Sequence, residues 1–279
     1  MGRMLKITTN RNQNGFETHE IERLSSSSIN LAREATDAWL TKYIGGASFP
    51  TNFAMWQGKA VELGVDLGIY SKKELDECIT EALKYYSKNT SMLIGASENY
   101  AKAEPIIKKM VQNGIQQLRT IGTPLKPNLG EHQHKVEIPI RFEEGEIGKI
   151  NCIGYLDYWF PEQNTIVDLK TTAKAPNKFS LSHGIQASIY KKAMEKKVNK
   201  PVRVLFLYVL TRIKDPFVWL ELEEHEVQKY LKSAKRTVRQ LENLLSVSSE
   251  IDDLLNITMH NPDSFYWNNA DDIKAKFYP

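Results

Sequence analysis

Cysteine is nearly absent. Cys78 and Cys152 are the only two in 279 residues, and they make no C-x-x-C spacing. A four-cysteine iron–sulfur cluster or four-cysteine zinc site built from this chain alone is therefore excluded, and a disulfide framework is not expected. Such usage suits a reducing cytosol. The opening "MGRMLKITTNRNQNGF" lacks the apolar run of a secretory signal, and no stretch approaches the roughly 20 apolar residues of a membrane span. No Walker A sequence, G-x-x-x-x-G-K-[ST], is found, so helicase activity is not expected. Neither sign of charge dominates: 37 Lys and Arg against 34 Asp and Glu leave a net +3, which permits nucleic-acid binding without demanding it. The only low-complexity block is a short serine run, and no internal repeat is found. A soluble intracellular protein is expected.

The periodicity that is present divides the chain. "SSSSINLAREATDAWLTKYIGG" reads as one helix, capped by one of Ser25 to Ser28 and stopped by Gly45-Gly46. "NFAMWQGKAVELGVDLGIYS" reads as a second, apolar around most of its circumference and so buried. Residues 72–122 are mainly helical, and "GTPLKPNLGEH" ends that pattern. The period then switches to strands in "HKVEIPIRFEEG", "KINCIGYLDYWF" and "TIVDLKTT", a meander. A helix over "LSHGIQASIYKKAMEKKVN", strands over "VRVLFLYVL" and "FVWLELEE", and a long helix over "EHEVQKYLKSAKRTVRQLENLLSV" follow. The expected fold is α/β, a central mixed β-sheet flanked by helices with an N-terminal helical elaboration. Residues 1–130 form the mainly helical part and 131–279 the sheet and C-terminal helix, within one continuous structural domain.

Charges inside two of these strands need an explanation. If Pro161-Glu162-Gln163-Asn164 is a four-residue hairpin loop, Phe160 pairs with Thr165, and counting back sets Asp157 opposite Asp168. Directly opposed residues have Cβ atoms roughly 4.5–5.5 Å apart. Alternation puts Lys170 on the same face, opposite Tyr155. Two facing carboxylates repel, and a divalent cation between them reverses the sign of that interaction. Hard oxygen ligands suit magnesium or manganese, and a neighbouring lysine can orient or deprotonate a water for attack on a phosphodiester. The bland alternative is a pair of edge-strand charges turned to solvent, and a different loop length would send the aspartates to opposite faces.

"GYLD", "IVDLKTT" and "GIQASIYKKA", in that order, resemble the core of the PD-(D/E)XK nuclease superfamily, and within it the RecB-type exonuclease branch. That branch reads G-x-x-D, D-x-K, Q-x-x-x-Y, an arrangement shared with phage and mitochondrial genome maintenance exonucleases. The resemblance implies a restriction-endonuclease-like core. It makes Asp157 and Asp168 metal ligands, the Leu169 carbonyl a further ligand and Lys170 the catalytic lysine. Gln186 and Tyr190 match the last motif, four apart on one helix face. Gln186 would hold the lysine or the attacking water, and Tyr190 would touch a phosphate or base. Both could instead be ordinary packing residues. Upstream, Gly58 and Glu62 match the motif that supplies a further ligand from an early helix, with Asp66 as rival to Glu62.

The resemblance implies one or two Mg²⁺ or Mn²⁺ ions as cofactors and DNA, single- or double-stranded with free ends, as partner. It leaves room for a recombination or replication protein and gives no membrane role. The setting it suggests is the cytoplasm of a bacterial or phage-infected cell, ahead of the mitochondrial matrix. The cysteines that bind an iron–sulfur cluster in many relatives are missing from "INLAREATDAW" and "NPDSFYWNNADD". No such cluster is expected, and Phe265, Tyr266 and Trp267 must hold the C-terminal segment instead.

Lys174, Lys178 and Lys191 are candidates to track a DNA backbone, whereas the basic residues of the C-terminal helix (Lys229, Lys232, Lys235, Arg236 and Arg239) read as a solvated face. Trp39, Tyr43 and Trp56 could stack on bases but are expected in the core. His132, His134 and His183 could contact substrate. The activity expected is metal-dependent exonucleolytic hydrolysis from DNA ends, in recombination, repair or replication. The alternatives are a structure-specific or restriction-type endonuclease, and a non-catalytic DNA-binding protein on the same fold.

Overall fold

In the computed structural model, residues 14–128, 131, 133–141, 149–211 and 216–278 are described. The N-terminal "MLKITT" run and His132 lie outside them. A short helix α1 (Gly15–Thr18) leads into strand β1 (Arg23–Ser25), then helices α2 (Ser26–Glu34), α3 (Thr36–Tyr43), α4 (Phe53–Tyr70), α5 (Leu75–Thr90) and α6 (Ala96–Arg119). The meander is β2 (His134–Arg141), β3 (Lys149–Leu156), β4 (Tyr158–Phe160) and β5 (Thr165–Thr172). Helix α7 (Leu181–Val198), strands β6 (Arg203–Leu210) and β7 (Phe217–Glu221) and helix α8 (Glu224–Leu245) complete the core. Helix α9 (Ile251–Asn256), a 3₁₀ turn (Phe265–Trp267) and α10 (Asp271–Phe277) close the chain.

Two expected elements are each broken in two. The helix expected over residues 25–46 stops at Ala35, whose φ of −154° is not helical, and resumes as α3. Ser25 is the cap, its side chain accepting from the Ser28 amide. The strand "KINCIGYLDYWF" bends at Asp157, so β3 and β4 belong to different sheets. One sheet has the order β1-β3-β2, with β1 parallel and β2 antiparallel to β3. The other has the order β4-β5-β6-β7, in which only β5 and β6 run parallel. Both are mixed and flanked by helices, as expected for a restriction-endonuclease-like fold. The expected pairing of Lys170 with Tyr155 is overturned by the bend: Tyr155 pairs with Lys135, and Lys170 with Tyr208.

Alternation along β6 explains why helices cover both faces. Val204, Phe206, Tyr208 and Leu210 enter one hydrophobic cluster with α2, α3, α7 and α8, while Leu205, Leu207 and Val209 enter a second with α4, α5 and α6. Along β5, Ile166 belongs to the first cluster and Val167 and Leu169 to the second. By the same alternation Asp168 and Lys170 point toward α7. Each cluster takes residues from both sides of position 130.

Candidate active site

The four-residue loop is present: Phe160 pairs with Thr165 and Tyr158 with Val167. The ladder stops there, because the chain turns at Asp157. Its carboxylate nonetheless reaches β5, with Oδ2 accepting from the Leu169 amide at 2.9 Å. Asp157 and Asp168 are thereby brought together at the seam between the sheets.

Lys170 lies beside them. Its ammonium is 2.5 Å from Asp168 Oδ2 and 5.3 Å from the centre of the Phe206 ring, with its side chain 27 % exposed and that of Asp168 only 1 %. The other Asp168 oxygen accepts from Gln186 Nε2 at 3.0 Å. The same amide lies 2.9 Å from the Tyr190 hydroxyl, so Gln186 braces one carboxylate rather than the lysine. Tyr190 is buried, and its ring fills the space a Cβ on Gly154 would need: such an atom would lie 2.2 Å from Tyr190 Cε1. Only 4 % of Tyr190 is exposed, at the edge of the cavity that it helps to line.

Glu62, on α4, is half-buried and enters the cluster through Gln133, whose Nε2 donates to Glu62 Oε1 at 2.9 Å and to Asp157 Oδ1 at 2.6 Å. Sequence reasoning missed Gln133. The β2–β3 register pairs His134 with Leu156, which puts Gln133 next in line beside Asp157. Asp66 turns the other way and accepts from the Tyr158 hydroxyl at 2.6 Å. Gly58 stands on the Glu62 face of α4 against Thr171, where a Cβ would meet Oγ1 at 3.2 Å.

Burial raises the carboxyls of Glu62, Asp157 and Asp168 above the usual carboxylate range. Repulsion between them adds to this at Glu62 and Asp157, and the Lys170 charge opposes it at all three. For Lys170, burial alone would lower its affinity for a proton, but the carboxylates of Asp168, Asp157 and Glu62 outweigh it and hold the ammonium charged. His183 donates to or accepts from the Tyr208 hydroxyl at 2.7 Å, and burial, with Lys170 nearby, takes it down to about 4, so it is neutral at pH 7.

This donor set suits a hard divalent cation. Asp168 Oδ2 is fully buried against the Lys170 ammonium, and a carboxylate oxygen can accept from a second partner as well. Asp168 is buried and Glu62 and Asp157 are half-buried, and a cation would relieve the desolvation that raises all three carboxyls. Among the described residues no three His, Cys, Asp or Glu side chains are close-set enough to hold an ion as they stand; Gln133 and Lys170 lie against the carboxylate oxygens.

The cluster opens into a cavity of about 1,130 Å³. Glu62, Asp157, Asp168, Leu169, Lys170 and Gln186 line it, together with residues 47–52 and, packed beside them, Phe265, Tyr266, Asn268 and Asn269. Trp39 is buried as expected, but Tyr43, expected in the core, is 41 % exposed on the cavity wall. Phe265, expected to anchor the C-terminal segment, is instead 66 % exposed at the cavity, while Trp267 is fully buried. Lys191 cannot serve as a backbone contact: it is 6 % exposed, donates to the Val202 carbonyl and pairs with Glu195 and Glu224. Lys174 and Lys178 are exposed on the loop after β5, and His134 is held by the Leu125 carbonyl. Lys229, Lys232, Lys235 and Arg236 of α8 face solvent.

No curated protein matches the sequence. Among solved structures, one from Eubacterium rectale described as "Putative exonuclease" is similar over 96 % of this chain and 99 % of its own, with a TM-score of 0.55 and 14 % identity, which shows the shared fold. A second, described as SSO0001, matches 58 % of this chain and 74 % of its own at 15 % identity and a TM-score of 0.31, too low to carry an argument. The family model of the PD-(D/E)XK nuclease superfamily matches residues 23–259. That span takes in all three carboxylates, Lys170 and the Gln186–Tyr190 pair, and the chain belongs to the PD-(D/E)XK nuclease superfamily.

Proposed function

We propose that this chain is a magnesium- or manganese-dependent deoxyribonuclease that removes nucleotides from DNA ends. The observation that carries the reading is the grouping of Asp157, Asp168 and Lys170 in one cavity, where the superfamily's chemistry needs two carboxylates and a lysine. Glu62, Asp157, Asp168 and the Leu169 carbonyl would hold the metal, which when bound supplies charge stabilisation at the phosphate and a more acidic water.

The chain's own groups do the rest. Lys170, kept protonated by its acidic neighbours, would orient the attacking water or hold a phosphate oxygen; it is poorly suited to act as a base. Gln186 and the Leu169 amide fix the two aspartates, so little reorganisation is needed when substrate arrives. Lys174 and Lys178 would meet the DNA backbone beyond the cavity.

Action from ends fits a carboxylate cluster set inside a cavity, and the structural neighbour is described as "Putative exonuclease". Its place would be in recombination, repair or replication, in the cytoplasm of a bacterial or phage-infected cell.

The test is cleavage of end-labelled linear DNA, single- and double-stranded, beside a closed circle, in Mg²⁺, Mn²⁺ or EDTA. Metal-dependent loss of linear DNA alone, abolished in Asp168→Ala with the fold intact, is expected. Cleavage of the circle would make the protein an endonuclease. Equal cleavage by Asp168→Ala would refute the assignment of the site.

A further inference from the structure

Among the described residues, Gln133 is the neutral side chain that hydrogen-bonds to two of the three carboxylates. Both of its partners, Glu62 Oε1 and Asp157 Oδ1, are acceptors, so it must present its NH₂ to them, at 2.9 and 2.6 Å. One nitrogen thus donates a hydrogen to each of two carboxylates that otherwise repel. Its backbone is placed by its neighbour His134, which pairs with Leu156 and donates to the Leu125 carbonyl, while its own side chain can still rotate away.

Asp157 is satisfied completely in this state, one oxygen by Gln133 and the other by the Leu169 amide. Asp168 is held as well, Oδ1 by Gln186 and Oδ2 by the Lys170 ammonium. The Gln133 amide therefore holds one oxygen on each of two carboxylates, while Gln186 and Lys170 hold the third carboxylate.

We propose that Gln133 is a resident stand-in for the divalent cation, bridging Glu62 and Asp157 in the metal-free protein and leaving that position when the metal enters. This rests on the reading of Glu62, Asp157 and Asp168 as the ligands. Gln133 is then a positioning residue with two opposed effects. It holds the carboxylates together before metal arrives, and it weakens metal binding because two charge-assisted hydrogen bonds must be given up. A metal-free site that is already assembled opens to the cation at the cost of affinity, which makes occupancy responsive to free metal concentration.

Mn²⁺ binding by calorimetry and water-proton relaxation, on wild type, Gln133→Ala, Gln133→Leu and Asp168→Asn, tests this. Both Gln133 variants are expected to bind Mn²⁺ about tenfold more tightly, a change of about 1.4 kcal/mol, while their metal-free forms melt earlier. In wild type alone, the Gln133 side-chain NH₂ signals, assigned through its own Cβ and Cγ resonances, should move to the position of a solvated glutamine on adding Mg²⁺. Weaker Mn²⁺ binding in both variants would make Gln133 a ligand and overturn the proposal, as would unchanged affinity or an unmoved NH₂ signal. If Asp168→Asn abolishes Mn²⁺ binding while the Gln133 variants match wild type, only this inference fails. If Asp168→Asn binds as wild type does, the ligand assignment fails and takes this inference with it.

Discussion

Removing Asp37 should release the C-terminal segment that walls the cavity. Its carboxylate is 1 % exposed, and one oxygen accepts three bonds from that segment: Trp267 Nε1 at 2.9 Å, His260 Nδ1 at 2.8 Å and the Asn261 amide at 3.1 Å. The other accepts from the Ala38 amide at 2.8 Å. Around it the Trp267 ring packs edge-on against Phe49 and His260, and His260 stacks on Tyr278 at 3.8 Å. A hydrogen bond to a charged group contributes roughly 1.5–3 kcal/mol, so three such bonds sum to about 5–9 kcal/mol if every donor is left buried and unpaired. The segment can instead peel away and wet its donors, which limits the loss in global stability to the lower figure typical of a broken buried charge, about 3–5 kcal/mol.

Urea unfolding of Asp37→Ala should therefore lose about 3–5 kcal/mol, and limited proteolysis should cut between residues 257 and 278 well before the rest of the chain unfolds. Trp267→Phe keeps most of the ring but lacks the donor, so a double-mutant cycle with Asp37→Ala should return a coupling of about 1.5–3 kcal/mol. A coupling below about 0.5 kcal/mol, or an Asp37→Ala protein within about 1 kcal/mol of wild type, would refute the claim that this carboxylate holds the segment.

Gly154→Ala drives a Cβ into the Tyr190 ring, so it should cost about 1–3 kcal/mol and, by shifting Gln186 from Asp168, lower metal-dependent cleavage at least tenfold; near-normal activity in the folded variant would show that the brace is dispensable. Burial lifts the Asp66 carboxyl from 3.8 to about 7, against the pull of the Tyr158 hydrogen bond. Because the folded value lies above the unfolded one, the penalty is absent below about pH 4 and grows to about 4 kcal/mol as pH rises through 7. Asp66→Asn should therefore flatten the fall in metal-free stability between pH 5 and pH 8, and an unchanged urea-midpoint slope would refute it. Lys191→Ala should cost about 1–3 kcal/mol through its lost partners while leaving DNA affinity and its salt slope intact, whereas Lys174→Ala with Lys178→Ala should weaken DNA binding and leave the urea midpoint in place.

The elements were legible where periodicity is strong and local. Alternation in "VRVLFLYVL", the apolar faces of α4 and α6 and the four-residue loop before Thr165 all act within a few residues. The bend at Asp157 was not legible, because nothing in "KINCIGYLDYWF" breaks the strand pattern. The turn is set by Tyr158 reaching Asp66 and by Tyr70 donating to the Asp157 carbonyl, contacts 92 and 87 residues apart in sequence. Asp37 was invisible for the same reason: its partners lie more than 220 residues away. Lys191 misled because a lysine near a site looks solvated until the carboxylates folded against it are known.

Why the motif residues were legible has a physical answer of its own. Gly154, Tyr190, Gln186 and Asp168 form one line of contact from β3 through α7 to β5. Four residues make about one turn of helix, which lets Gln186 and Tyr190 stand on the same face and touch each other. From there the amide reaches a carboxylate on one strand, and the ring fills the space left by a missing Cβ on the other. Q-x-x-x-Y is thus a packing statement as much as a chemical one: its spacing is what a helix needs to grip two sheets at their seam, where Asp157 has just turned the chain from one to the other.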